Sequence, residues 1–202
     1  MKLILATSNR HKVDEILKIW GTVPFEVLTL EDYPDLPPVV EDGNTFRENA
    51  LKKAREVARK TGLITVSDDS GIEVDGLGGR PGIHSARYAG AGARDEDNNQ
   101  KLIRELQGIP MDSPKRRGRF RCVAALADPL GFETTVEGVI EGEILDSPKG
   151  ENGFGYDPLF LVPIKGKTTA ELTPPEKNAI SHRAQAFRKI KEIILERIAK
   201  SI

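Results

Sequence analysis

The sequence predicts an α/β fold with a mixed sheet. Short apolar runs alternate with helix-periodic stretches through residue 108, the signature of β–α–β units. Two long β-prone runs then flank the turn Asp128-Pro129-Leu130-Gly131, which reads as an antiparallel hairpin. The chain closes on an amphipathic helix with Ala184, Phe187, Ile190, Ile194 and Ile198 on one face.

In chain order, Lys2 to Thr7 reads as a short buried strand. The helix after it places Val13, Ile16, Leu17 and Trp20 on one side. Phe25 to Leu30 alternates like a second strand, and residues 31–44 form a loop rich in Pro, Asp and Glu. Thr45 and Glu48 have capping-box spacing ahead of a helix that runs to Gly62. Leu63 to Ser67 is a short strand leading into a turn, Asp68-Asp69-Ser70-Gly71. Residues 70–94 carry seven glycines, and so long a Gly-rich stretch tends to be functional. Asp95 caps a helix ending near Gly108, and residues 111–118 are a basic polar loop. Arg119 to Ala127 and Phe132 to Leu145 are the hairpin strands, and a glycine-rich turn covers Gly150 to Asp157. Leu159 to Val162 is a last short strand, and Ser181 is a candidate N-cap for the final helix.

The 202 residues suit a single domain, 1–202, with no linker long enough to separate independent parts. The 30 basic and 31 acidic residues leave a formal charge of −1, so no overall field gathers a nucleic acid polymer. Aromatics at 5% argue against a base-stacking platform. The single cysteine, Cys122, reads as a buried inert thiol. No stretch approaches membrane-spanning length, and the expected location is the cytoplasm.

Five segments could carry chemistry. Thr7-Ser8-Asn9-Arg10-His11-Lys12 lies at a strand-to-helix junction, where free N–H groups favour anions; ordinary capping explains it equally. Asp68 and Asp69 lie at a strand's carboxyl end, where ligands gather in α/β sheets. They suit Mg²⁺ or a base acting on water, and equally a solvated turn. Glu41 is a distant third carboxylate or plain surface. In Gly153-Phe154-Gly155-Tyr156-Asp157, glycines flank aromatics that either meet a planar ligand or pack inward. Lys177, His182 and Arg183 gather donors near the start of the last helix, against its dipole.

In that order, these segments resemble the inosine triphosphate pyrophosphatase family over essentially the whole chain. The resemblance rests on Thr7 to Lys12, Ser67 to Gly71, Gly78 to Arg87, Phe154 to Asp157 and Ser181 to Arg183. His84 stands where the family commonly has tyrosine. The resemblance implies an elongated α/β structure with two lobes and a central substrate cleft, usually a homodimer. It implies hydrolysis of XTP, ITP and dITP to the monophosphate and pyrophosphate. Thr7, Ser8, Asn9, Arg10, His11 and Lys12 would hold the triphosphate. Glu41 and Asp69 would bind Mg²⁺ with support from Asp68, and Asp69 would also be the base. Ser70 would contact substrate. Phe154, Gly155, Tyr156, Asp157, Lys177, His182 and Arg183 would enclose the nucleoside. Donors such as Arg183 or His182 would satisfy a 6-oxo purine and leave an adenine amino group unpaired.

Two rival readings stand beside it. A Maf-type pyrophosphatase would act on pyrimidine or modified nucleotides, although arginines end its N-terminal loop where Lys12 stands here. A non-catalytic nucleotide or RNA binder would use the basic run Lys115 to Arg121.

Overall fold

The computed structural model describes residues 1–200. Its seven strands form one sheet in the order β2-β1-β3-β4-β5-β6-β7. β1 (Lys2–Leu5) is apolar because both its faces are covered, and Leu3, Ile4 and Leu5 are fully buried. It pairs in parallel with β2 (Glu26–Thr29) and with β3 (Ile64–Val74). α1 (Arg10–Trp20) buries Ile16 and Trp20. Leu17, expected on the same face, is exposed because one residue turns about 100° around a helix. α2 (Phe46–Thr61) starts at Thr45, whose side chain accepts from the Glu48 N–H. Glu48 reaches back to the Asn44 N–H, one residue beyond the expected box partner.

The largest departure from the sequence reading is β3. Asp68, Asp69, Ser70 and Gly71 are not a turn: the strand runs through them to Val74. A strand ends where its backbone pairing ends, and the presence of charge alone does not end it. Here side chains from the flanking helices donate to both carboxylates, so the ladder continues.

α3 (Asp95–Glu105) has Arg94 at its cap position, and Asp95 is its first helical residue. β4 (Arg117–Ala127) and β5 (Glu133–Ile144) are the expected hairpin strands. The Asp128 carboxylate closes their turn by accepting from the Leu130 and Phe132 N–H groups. β6 (Phe160–Val162) pairs antiparallel with β5 and with β7 (Lys167–Thr168). The C-terminal region holds two helices, α4 (Pro174–Ile180) and α5 (His182–Lys200), separated by extended Ser181. Lys177 therefore belongs to α4 and does not open the final helix.

The chain divides into two compact units. Unit 1 comprises 1–69, 122–138 and 183–202, and unit 2 comprises 70–121 and 139–182. Unit 1 has apolar clusters on both faces of its strands. Leu3, Leu5, Val66 and Cys122 pack with Ile16 and Phe187 of α1 and α5. Ile4 and Ala6 pack with Val57 of α2. Unit 2 has its own core, including Ile72, Leu102, Leu106, Phe120, Ile144 and Phe160.

The basic run is solvated only in part: Lys115 and Arg117 are exposed, whereas the other three arginines are engaged. Arg116 is 4% exposed and donates to the carbonyls of Ile109 (2.9 Å), Ile144 (3.1 Å) and Leu106 (3.2 Å). Arg119 pairs with Asp75 and Glu141, and Arg121 with Glu73. Arg116→Ala would strip three carbonyls of a donor and open a void, costing about 2–4 kcal/mol. Thermal melts should then show a midpoint lower by roughly 5–15 °C. An unchanged midpoint would mean that those carbonyls find other donors.

Candidate active site

Unit 1 assembles a charged cluster. The chain leaves β1 at Ala6, and the Thr7 Oγ1 accepts from the Asn9 N–H. Asn9 is the helix cap, with its side chain accepting from the Lys12 N–H at 3.2 Å. Ser8, Arg10 and His11 are exposed, and Arg10 pairs with Glu31 at the surface. Lys12 turns inward and donates to Asp68 Oδ2 at 2.9 Å.

Strand alternation separates the acidic pair. Asp68 has the parity of Val66 and lies among α1, α5 and β4 partners. Besides Lys12, its neighbours are Arg183 at 3.9 Å and the Cys122 thiol at 3.8 Å. Burial works against its charge, yet the fields of Lys12, Arg183 and Lys53 prevail and hold the carboxyl well below the usual range. Burial, with Asp68 beside it, pushes the Cys122 thiol up, so it stays protonated and inert. Arg183 is 2% exposed and also donates to Glu15 at 2.5 Å.

Asp69 has the parity of Ser67, whose hydroxyl donates to the Ala50 carbonyl of α2. Its Oδ2 accepts from Asn49 Nδ2 at 3.0 Å. Burial raises the Asp69 pKa above the ordinary carboxylate value, against the opposing effects of Lys53, Asn49 and Lys12. Glu41 adds to that rise, so its charge is felt at Asp69. Lys53 donates to Glu41 at 2.7 Å and lies in the fields of Asp68 and Asp69.

Lys53 is absent from the sequence-derived candidates. It sits on the buried stripe of α2 that carries Asn49, Ala50, Ala54 and Val57. A lysine on an apolar stripe was a legible signal, since burying an ammonium requires carboxylate partners.

The donor set accommodates Mg²⁺. Among the described residues no three His, Cys, Asp or Glu side chains gather as a metal cage. Glu41 and Asp69 are hard oxygen donors whose mutual repulsion a cation would relieve. Mg²⁺ needs only one or two carboxylates beside water and phosphate oxygens.

Unit 2 organises the glycine-aromatic segment around the buried Asp157 carboxylate. Its Oδ2 accepts from the Phe154 N–H at 2.9 Å and from Lys177 at 2.6 Å. Its Oδ1 accepts from the Thr169 hydroxyl at 2.8 Å. At Gly153, φ is +79° and an added Cβ would lie 2.0 Å from the Asp157 carboxylate, so only glycine fits. The Gly155 peptide is gripped at both ends, its N–H by Asp95 and its carbonyl by Asn99. The two aromatics divide. Tyr156 packs inward and donates to the Ser85 carbonyl, whereas Phe154 is half-buried with the Lys177 ammonium 5.2 Å from its ring centre. His182 is buried and stacks on Phe120, with ring centres 4.9 Å apart. Ser70 is half-buried and follows Asp69 in the strand.

The fold and these clusters define an α/β protein with buried cations beside carboxylates in one unit and an aromatic loop in the other. The chain belongs to the Ham1 family, whose sequence model matches residues 3–193. It is 52% identical over 191 residues to the dITP/XTP pyrophosphatase of Geobacter sulfurreducens, covering 95% of each chain. It is 50% identical to the dITP/XTP pyrophosphatase of Desulforamulus reducens, covering 96% of each. A HAM1 protein from Coxiella burnetii has a similar structure, with a TM-score of 0.88 and 39% identity over 97% of this chain and 99% of that one. The Ham1 protein of Staphylococcus aureus superposes with a TM-score of 0.86 at 37% identity, over 98% and 100% of the two chains.

Proposed function

We propose that this chain hydrolyses nonstandard purine nucleoside triphosphates (dITP, XTP, ITP) to the monophosphate and pyrophosphate. It is a hydrolase acting on an acid anhydride. The observation that carries the chemistry is the unit 1 cluster, in which Lys12 and Lys53 lie beside Glu41, Asp68 and Asp69. Near-full-length similarity to dITP/XTP pyrophosphatases supports the purine substrates over the Maf-type alternative. The engaged arginines of the basic run speak against a nucleic acid polymer as partner.

The roles are those the family resemblance implies, and parts of the geometry support them. Thr7, Ser8, Asn9, Arg10, His11 and Lys12 receive the triphosphate at the start of α1, where the helix dipole favours anions. Asp68 holds the Lys12 ammonium in place. Asp69, whose carboxylate accepts from the Asn49 amide, takes the proton of the water that attacks the α-phosphorus. Mg²⁺ held by Glu41 and Asp69 would supply neutralisation of charge on the phosphate oxygens and the departing pyrophosphate. Phe154 offers its ring face to the purine, while Asp157 and Tyr156 shape the loop around Gly155. Ser70, Lys177, His182 and Arg183 complete the nucleoside contacts. We read residues 1–202 as one domain, a reading supported by β3, β4 and β5 each contributing residues to both units.

The test is a panel of ITP, XTP, dITP, ATP, dTTP and UTP with Mg²⁺, reading pyrophosphate and monophosphate. Turnover confined to the three nonstandard purines is expected. Preference for pyrimidines, or release of orthophosphate, would overturn the reading. By family resemblance we also place the enzyme in the cytoplasm as a homodimer, and sedimentation at the 22.2 kDa of one chain would refute the dimer. No helix among the described residues is long and apolar enough to cross a membrane.

A further inference from the structure

Asn49 is fully buried in the first turns of α2, yet its side chain is polar. Burying an amide costs free energy unless both its ends are satisfied. Both are. Oδ1 accepts from the Gly43 N–H at 2.8 Å, and Nδ2 donates to Asp69 Oδ2 at 3.0 Å. The orientation of the amide follows from its partners, since a peptide N–H can only donate and an ionised carboxylate can only accept. One side chain thus spans the strand that carries Asp69 and the loop that carries Glu41. The loop passes so close that a Cβ on Gly43 would lie 2.8 Å from Asn49 Oδ1 and from Glu48 Cβ. Leucine would leave both partners bare, and aspartate would set a second carboxylate against Asp69.

We propose that Asn49 is a positioning residue for the pyrophosphatase reaction: its amide locks the Asp69 carboxylate to the Gly43 backbone and so fixes Asp69 relative to the Glu41 segment. This rests on the pyrophosphatase reading. A misplaced base loses transition-state stabilisation while ground-state substrate binding by other groups persists.

The test compares Asn49→Ala, Asn49→Asp and Ser67→Ala on dITP. Ser67→Ala removes a buried hydrogen bond of β3 to the neighbouring α2 residue, Ala50, and serves as the structural control. Asn49→Ala is expected to lower kcat about 100-fold with KM within about threefold. It should also speed hydrogen exchange at the Gly43 amide about 10-fold or more. Ser67→Ala should keep kcat within about twofold. Asn49→Asp keeps the shape and the acceptor for Gly43, so it should retain Gly43 protection and still lose kcat. It also keeps the test open if the alanine variant fails to fold. The inference falls if Asn49→Ala or Asn49→Asp turns over like wild type, or if Ser67→Ala loses kcat as Asn49→Ala does. Wild type and Asp69→Asn are assayed in the same series. Failure of the pyrophosphatase reading would appear in those two, and failure of the Asn49 inference only in the Asn49 variants.

Discussion

Asp69→Asn is expected to lower kcat by about 1,000-fold or more while leaving the thermal midpoint level or higher. The first half follows from the role of base, because an amide cannot accept the proton of the attacking water. The second half follows from burial. A carboxyl whose pKa is raised in the folded state binds its proton more tightly there than in the unfolded chain. At any pH above the ordinary carboxylate value it therefore subtracts from stability, and a neutral amide of the same shape removes that cost. Greater stability with lost turnover is the pattern of a residue kept for function. Steady-state kinetics and a melt on one preparation check both halves. Wild-type turnover would remove Asp69 as the base, and a large drop in midpoint would mean that its carboxylate is structural.

Arg183→Ala is expected to have the largest effect on stability. The guanidinium is 2% exposed, and its partners include Glu15 and Asp68. Removing one member of a buried charged group strands the others, at about 3–5 kcal/mol. For a chain of this size that lowers the midpoint by roughly 10 °C. A midpoint within about 2 °C of wild type would show that water or other groups replace the guanidinium. The ratio of ITP to ATP turnover, taken below the melt, reads the second role. A narrower ratio places Arg183 on the purine. An unchanged ratio removes Arg183 from base reading.

Both predictions depend on facts of different origin. That Asp69 follows an apolar run was visible in the sequence, and so was the order of the five motifs that pointed to the family. The element order was legible too, because core-facing periodicity survives in any sequence that folds around a sheet. Structure and sequence part where charge suggests exposure. Asp68 and Asp69 read as a turn and Arg116 as part of a basic polar loop, and Lys53 is absent from the candidates, yet all four are wholly or largely buried. A buried charge survives only beside partners, and here those partners are distant in sequence: Asp68 meets Lys12 and Arg183, and Arg116 meets Ile144.

The sequence by itself therefore determined the α/β class, the capping of α2, the hairpin and the membership in a pyrophosphatase-like family. Those properties are local, set by side-chain periodicity and by short motifs. Only the tertiary structure decided that adjacent Asp68 and Asp69 serve different neighbours, one anchoring Lys12 and Arg183 and the other held by Asn49 near Glu41 and Lys53. Pleating turns successive strand residues to opposite faces, and what each face meets depends on helices that pack there from far along the chain.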